Sequence, residues 1–179
     1  MTALFTLLPE AVGTVRASAN GTVRASAKSP AAPAGANVSA SAGEGKGAIL
    51  AQLAERFAKV YGLDHAAVLD RLEDRERLGS TGFGRGVAIP HARMGTLSRP
   101  VAAFLRLDTP VAFDAADGMP VDLVFGLLSP EQAGATHLHA LAAISRLMRD
   151  ERMHAALREA PDAEALYGLL VNVIDRDAA

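Results

Sequence analysis

The chain contains no cysteine. That removes disulfides, thiolate metal sites and cysteine nucleophiles together, and it fits a reducing compartment, expected here to be the cytoplasm. An excess of either charge is also missing: 18 Lys and Arg stand against 20 Asp and Glu, for a net charge of −2. A nucleic-acid partner asks for a basic face, so none is expected. No apolar run approaches the roughly 18 residues of a spanning helix, so direct membrane insertion is not expected either. The early ALFTLL is apolar but short, and no basic segment precedes it, which argues against a secretory signal. What remains is 179 residues, 50% of them hydrophobic, enough for one domain with a core of its own.

Acidic residues are missing once more, locally, between Glu10 and Glu44. Ala, Ser, Gly, Thr and Pro dominate there, and TVRASA occurs at 14–19 and again at 22–27, with NVSASA at 37–42. The two copies flank Asn20-Gly21, a strong two-residue hairpin signal. Alanine is a poor strand former, however, and a lone hairpin is marginal in water. The reading preferred is a short N-terminal segment (1–10), a low-complexity and mostly flexible insert (11–45) with a short strand at Val38–Ser41, and a folded domain over 46–174.

From residue 46 the periodicities are clean. Ile49, Leu50, Leu53, Phe57 and Val60 recur at helical spacing and predict a helix over 46–60. Asp64 is placed to cap a second helix running to Arg77, with Val68, Leu69 and Leu72 inward. Strands are expected at Val87–Ile89, Val101–Leu107 and Val121–Leu128, the last a near-continuous apolar run suited to a central strand. Asp117-Gly118 is the turn expected to feed it. Thr136 is expected to cap a helix through Met148 with Leu138, Leu141, Ile144 and Leu147 as its apolar stripe. Asp150 and Asp162 are placed to cap two further helices, 151–159 and 163–174. Helices alternating with short strands predict an α/β layered domain.

Two features bear on chemistry. The loop GSTGFGRG (79–86) has the glycines of a phosphate cradle, but it lacks a GKS or GKT end and precedes a strand instead of following one. A tight turn that shapes a surface is the simpler reading. Among the five histidines, His65 and His154 sit beside charged residues and read as solvated. His91 follows Pro90 at the end of an apolar strand, where sites gather in open α/β sheets. His137 and His139 open the helix after Thr136, and residues two apart do not share a helix face, so at most one of them joins His91. Three chemistries fit this set: histidines satisfied in a polar cleft, a zinc site of unusual spacing, and a phosphoryl-accepting imidazole. An imidazole is nucleophilic near neutral pH and takes a phosphoryl group without a metal where cations and N–H groups neutralise the oxygens. Arg75, Arg77, Arg85 and Arg93 are the cations on offer, with Ser80 and Thr81 as hydroxyl donors.

Together RERLGSTGFGRGVAIPHAR (75–93), PVAFDAADGMPVDLVFGLLSP (110–130), THLHALAAISRLM (136–148) and LREAPDAEALYGLL (157–170) resemble the enzyme IIA component of the bacterial phosphoenolpyruvate–sugar phosphotransferase system. The resemblance is to its mannitol/fructose class, nearest to the nitrogen-related regulatory branch. It implies a single α/β domain with a small mixed β-sheet flanked by helices on both faces. It also implies that His91 is the phosphorylated residue, that His137 is a second active-site histidine, and that Arg75 is the family's active-site arginine. Neither a cofactor nor a metal is implied. The implied donor is a small histidine-containing phosphocarrier protein, charged by an enzyme I that uses phosphoenolpyruvate. The chain would then be an intermediate in histidine phosphoryl transfer. It would act either as a regulator of kinases or transporters or, as the alternative, by delivering phosphate to a separate sugar permease subunit. The TVRASA repeats look like an insertion relative to the family, and Ala92 stands where a glycine commonly follows the histidine.

Overall fold

The computed structural model describes residues 4–16, 24–25 and 42–177. Along the chain these form β1 (Thr6–Arg16), β2 (Arg24–Ala25), α1 (Ala42–Tyr61), α2 (His65–Arg77), β3 (Gly82–Gly84), β4 (Val87–Ala88), β5 (His91–Met94), β6 (Val101–Val111), β7 (Val121–Pro130), α3 (Ala135–Leu147), α4 (Glu151–Glu159) and α5 (Ala163–Asp177). The strands make one mixed sheet in the order β2-β1-β6-β7-β4-β3, with β5 also paired to β7. β7 is the hub: it runs antiparallel to β6 and parallel to both β4 and β5. Its apolar run explains this, because Val121 and Leu123 through Ser129 are all buried and only a strand covered on both faces tolerates such a run.

Opposite faces of the sheet hold different helices, as expected. At Gly126 on β7 an added Cβ would lie 2.7 Å from Leu53 Cδ2, so α1 presses on that face. On the other face Arg106 of β6, paired with Leu123, reaches the carbonyls of Leu157 and Ala160 at the end of α4. The core between them is aliphatic and phenylalanine-rich, with Phe57, Phe104, Phe113 and Phe125 fully buried. Tyr61 closes α1 against the sheet: its hydroxyl donates to Ala102 O at 2.7 Å and accepts from Leu8 N at 3.3 Å. Burial there pushes the phenol pKa up to about 12.

Several boundaries differ from the sequence expectation, each for a local reason. The low-complexity character that begins at residue 11 does not end the first strand. Ala11, Val12 and Val15 are buried in β1, which pairs with β6. The hairpin pairing suggested by Asn20-Gly21 is present at its base, where Val15 faces Ala25 and Arg16 faces Arg24. The strand expected at Val38–Ser41 lies outside the described residues, and α1 starts at Ala42, four residues before its expected start. Pro9 and Pro110 sit in exposed bulges where β1 and β6 lose register for a few residues and then resume pairing, the positions a strand allows proline. Asp64, Asp150 and Asp162 cap α2, α4 and α5 as expected. Thr136 does not cap α3; the cap position is Gly134, with φ 50° and no side-chain hydrogen bond. Leu138 is 62% exposed and leaves the inward stripe of α3 to His137, Ala140, Ala143, Ile144 and Leu147.

Because Leu53 is fully buried and cannot retreat, Gly126→Ala should destabilise the fold by about 1–3 kcal/mol. Urea unfolding measures this, and a shift below about 0.5 kcal/mol would show that α1 is not held tightly against β7.

Candidate functional site

The site begins with a break in a ladder. β4 and β5 both lie along β7, but the strand expected to end at His91 instead stops at Ala88, and His91 opens the next one. Pro90 sits between them and has no N–H to give to the ladder. Its carbonyl still accepts from Leu127 N at 3.0 Å, so the chain keeps its course along β7. The carbonyl of Ile89 accepts from the His91 ring at Nδ1, 2.8 Å away. A carbonyl only accepts, so Nδ1 must carry the proton and Nε2 the lone pair. The other side of the ring agrees, because Arg75 donates from Nε to His91 Nε2 at 3.1 Å.

Arg75 is itself fixed. It lies in the last turn of α2, and Nη1 donates to Gly79 O at 2.9 Å. Gly79 adopts φ +148°, in the region that favours glycine. The turn is held from below by Glu76, which is 9% exposed. Its carboxylate accepts from Thr81 N at 3.0 Å and from Thr81 Oγ1, and it pairs with Lys46 Nζ at 2.9 Å. Lys46 bonds Asp114 at the same distance. Burial works against the lysine charge, but hydrogen bonds to Glu76 and Asp114 outweigh it and raise the pKa. Thr81 O in turn accepts from Ile89 N at 2.9 Å, so hydrogen bonds tie Glu76 through Thr81 to the residue whose carbonyl orients His91.

His137 comes from the first turn of α3 and is 6% exposed. Its ring centroid lies 5.7 Å from that of His91. Nδ1 is 2.8 Å from Ser129 Oγ, on a β7 residue with no exposed surface. Burial lowers the His137 pKa to about 4, with His91 and Arg93 adding to the effect. Burial also lowers that of His91; the Ile89 hydrogen bond opposes this, Arg75 reinforces it and Glu76 opposes it. Both rings are neutral at pH 7. His139, two residues on, is exposed, as the helical spacing requires.

Other expectations need correction. Ser80 and Thr81 are not free hydroxyl donors: Ser80 Oγ donates to Phe113 O, and Thr81 is taken by Glu76. Arg77 pairs with Asp74 and Glu73, and Arg85 with Glu151, so neither is shown at the histidines. Arg93 is close enough to act on His137 and also reaches Glu131 O at 3.4 Å. Phe83 has the Arg149 guanidinium 5.6 Å from its ring centre. Two exposed leucines stand nearer in the chain to the site: Leu78 (86% exposed) beside Gly79, and Leu138 beside His137. His154 is not solvated but 4% exposed, with Nε2 2.8 Å from Met148 O. Among the described residues no group of three or more His, Cys, Asp or Glu is placed to hold a metal. Sequence reasoning missed Glu76, Lys46 and Ser129. The first was detectable, since Val68, Leu72 and Glu76 fall on one helical face at i, i+4 spacing.

The site thus sets one neutral imidazole nitrogen against a guanidinium on a mixed-sheet α/β scaffold. The chain belongs to the family described as phosphoenolpyruvate-dependent sugar phosphotransferase system, EIIA 2, which its residues 37–173 match. It is thus a phosphorelay component, whose exchange partners are other proteins of such a system. A nitrogen regulatory protein of Bradyrhizobium diazoefficiens is 49% identical over 121 residues, 68% of this chain and 79% of that one. One of Pseudomonas aeruginosa is 46% identical over 132 residues, 73% and 86% of the two chains. The crystal structure of nitrogen regulatory protein IIA-Ntr from Neisseria meningitidis superposes with a TM-score of 0.72 at 30% identity, covering 92% of this chain and 95% of that one.

The depressed His137 pKa has a stability consequence. The unfolded chain protonates this histidine near pH 6.5, whereas the folded chain resists until about 4. Between those values the unfolded state holds more protons, so stability falls as pH drops from about 6.5 to about 4. His137→Gln should flatten that fall, read from urea midpoints at pH 7 and pH 4.5. An unchanged fall would place the proton-sensitive group elsewhere.

Proposed function

We propose that His91 Nε2 accepts a phosphoryl group from a small histidine-phosphorylated carrier protein, and that the chain serves chiefly as the regulatory component of a nitrogen-related phosphotransferase system. One observation carries the site assignment: Nδ1 of His91 is committed to the Ile89 carbonyl, which leaves Nε2 as the lone pair facing a cation. Attack by Nε2 forms a P–N bond while the P–N bond to the donor imidazole breaks. The electron pair of the broken bond returns to the donor ring, and the His91 proton stays on Nδ1, hydrogen-bonded to Ile89 O, throughout. The positive charge that appears on the His91 ring is the one the donor ring gives up, so no base is needed.

Arg75 has two tasks in this scheme. In the unmodified chain it satisfies Nε2, and during transfer it moves to the phosphoryl oxygens, where charge neutralisation is most effective in a partly desolvated site. His137 is neutral, so its contribution is hydrogen bonding and shape. Leu78 and Leu138 supply apolar contact for the docking carrier. The regulatory reading is supported by the names of the Bradyrhizobium and Pseudomonas relatives and of the solved IIA-Ntr structure. A phosphoenolpyruvate-fed relay supports a cytoplasmic location for the chain. Among the described residues no helix is long and apolar enough to cross a membrane. Regulated kinases or transporters are then the downstream partners.

Incubation with phosphoenolpyruvate, enzyme I and a phosphocarrier should give an acid-labile phosphoryl adduct that His91→Ala abolishes. Arg75→Ala should slow its formation about 10²- to 10³-fold. Undiminished labelling of His91→Ala overturns the assignment. Delivery of the label to a sugar through a permease subunit would replace the regulatory role with the sugar-delivering one.

A further inference from the structure

Resting on the reading above, we propose that Ser129 is a positioning residue that sets the tautomer of His137, so that His137 offers an Nε2–H to the phosphoryl group on His91. The argument starts from the Ser129 hydroxyl. It lies on β7 with no exposed surface, and among the described residues its side chain is hydrogen-bonded to His137 Nδ1 alone, at 2.8 Å. A hydroxyl has one proton and two lone pairs. If His137 donated from Nδ1, the serine proton would point into an apolar strand interior with no acceptor, and burial makes that unfavourable. If the serine donates instead, Nδ1 is the acceptor, both groups are satisfied, and the single ring proton sits on Nε2. The second arrangement leaves nothing buried and unpaired.

The two histidines therefore hold opposite tautomers. His91 has its proton on Nδ1, because Ile89 O demands one, and exposes a lone pair at Nε2. His137 has its lone pair on Nδ1, because Ser129 supplies a proton, and exposes an N–H at Nε2. One ring supplies the nucleophile and the other a hydrogen-bond donor, with their centroids 5.7 Å apart. A single strand arranges this. In the register of β5 on β7, His91 stands beside Leu127 and Arg93 beside Ser129. The serine that controls one histidine is thus two residues along from the leucine that seats the other. In the unmodified chain His137 is neutral, so what it presents to an arriving phosphoryl group is the direction of its N–H.

The experiment needs no partner at its first step. Long-range ¹H–¹⁵N correlation spectra of the ring-labelled full chain at pH 7 report which nitrogen of each histidine bears the proton. The expected result is Nε2–H for His137 and Nδ1–H for His91. Ser129→Ala should erase the preference at His137 and leave that at His91. With a phosphorylated carrier as donor, the same variant should lower the maximal transfer rate about 10²-fold with the half-saturating carrier concentration unchanged. A native His137 protonated at Nδ1 overturns the inference. So does a Ser129→Ala variant that keeps either the native His137 tautomer or the native transfer rate. Labelling that survives His91→Ala would instead defeat the phosphoryl-acceptor reading while leaving the measured tautomers to stand on their own.

Discussion

The hydrogen bond from His91 Nδ1 to the Ile89 carbonyl is the contact from which the rest of the site follows. An imidazole has two nitrogens and, when neutral, one proton; fixing the proton on one of them decides what the other can do. Here the fixing group is the backbone two residues earlier, on the far side of a proline. Pro90 gives no N–H, interrupts the ladder between β4 and β5 and leaves the chain running along β7. The Nε2 lone pair is thus oriented by main chain that is itself held by the central strand. A backbone acceptor cannot change protonation state, so the orientation of His91 does not depend on a second titrating group.

Around that contact the charged groups form two layers. Arg75 meets the ring directly. Beneath it, Lys46, Glu76 and Thr81 brace the turn that carries both Arg75's backbone partner, Gly79, and the carbonyl that holds Ile89. Buried ion pairs of this kind are weak contributors to net stability, because desolvation consumes most of the attraction. Their value here is geometric: losing one partner would leave a buried charge beside the turn and disturb every bond above it.

The sequence made much of this readable. The caps at Asp64, Asp150 and Asp162, the central strand and the interior of each helix followed from periodicity and capping chemistry, because both act over a few residues. The same locality explains the misses. The strand expected to end at Leu107 runs on to Val111 through a bulge at Pro110, and only the neighbouring strand decides that. Leu138 fits a helical stripe on paper, but the entry angle of α3 after Gly134 turns it outward and His137 inward. His154 looked solvated among charges and is buried against Met148 O. His91, His137 and Arg75 were found from motif text; the first two are adjacent rings and the third touches the first. Ser129 was not legible, since one polar residue at the end of an apolar run acquires meaning only when its partner, eight residues on, folds back over it.

β7 also works as a ruler. His91 is set against it laterally, at Leu127, and His137 is joined to it covalently, through Ser129, Pro130 and the short connection to Gly134. The spacing between the two rings is therefore measured along one strand and one turn, and among the described residues their hydrogen-bond partners all lie between residues 75 and 129. The repeats between residues 14 and 42 lie outside that span. The text between the end of β1 and the start of α1 can change in length without moving either ring, whereas one residue added between Leu127 and Gly134 would throw the pair out of alignment. The tolerance of the chain to insertion is set by where its measuring strand begins and ends.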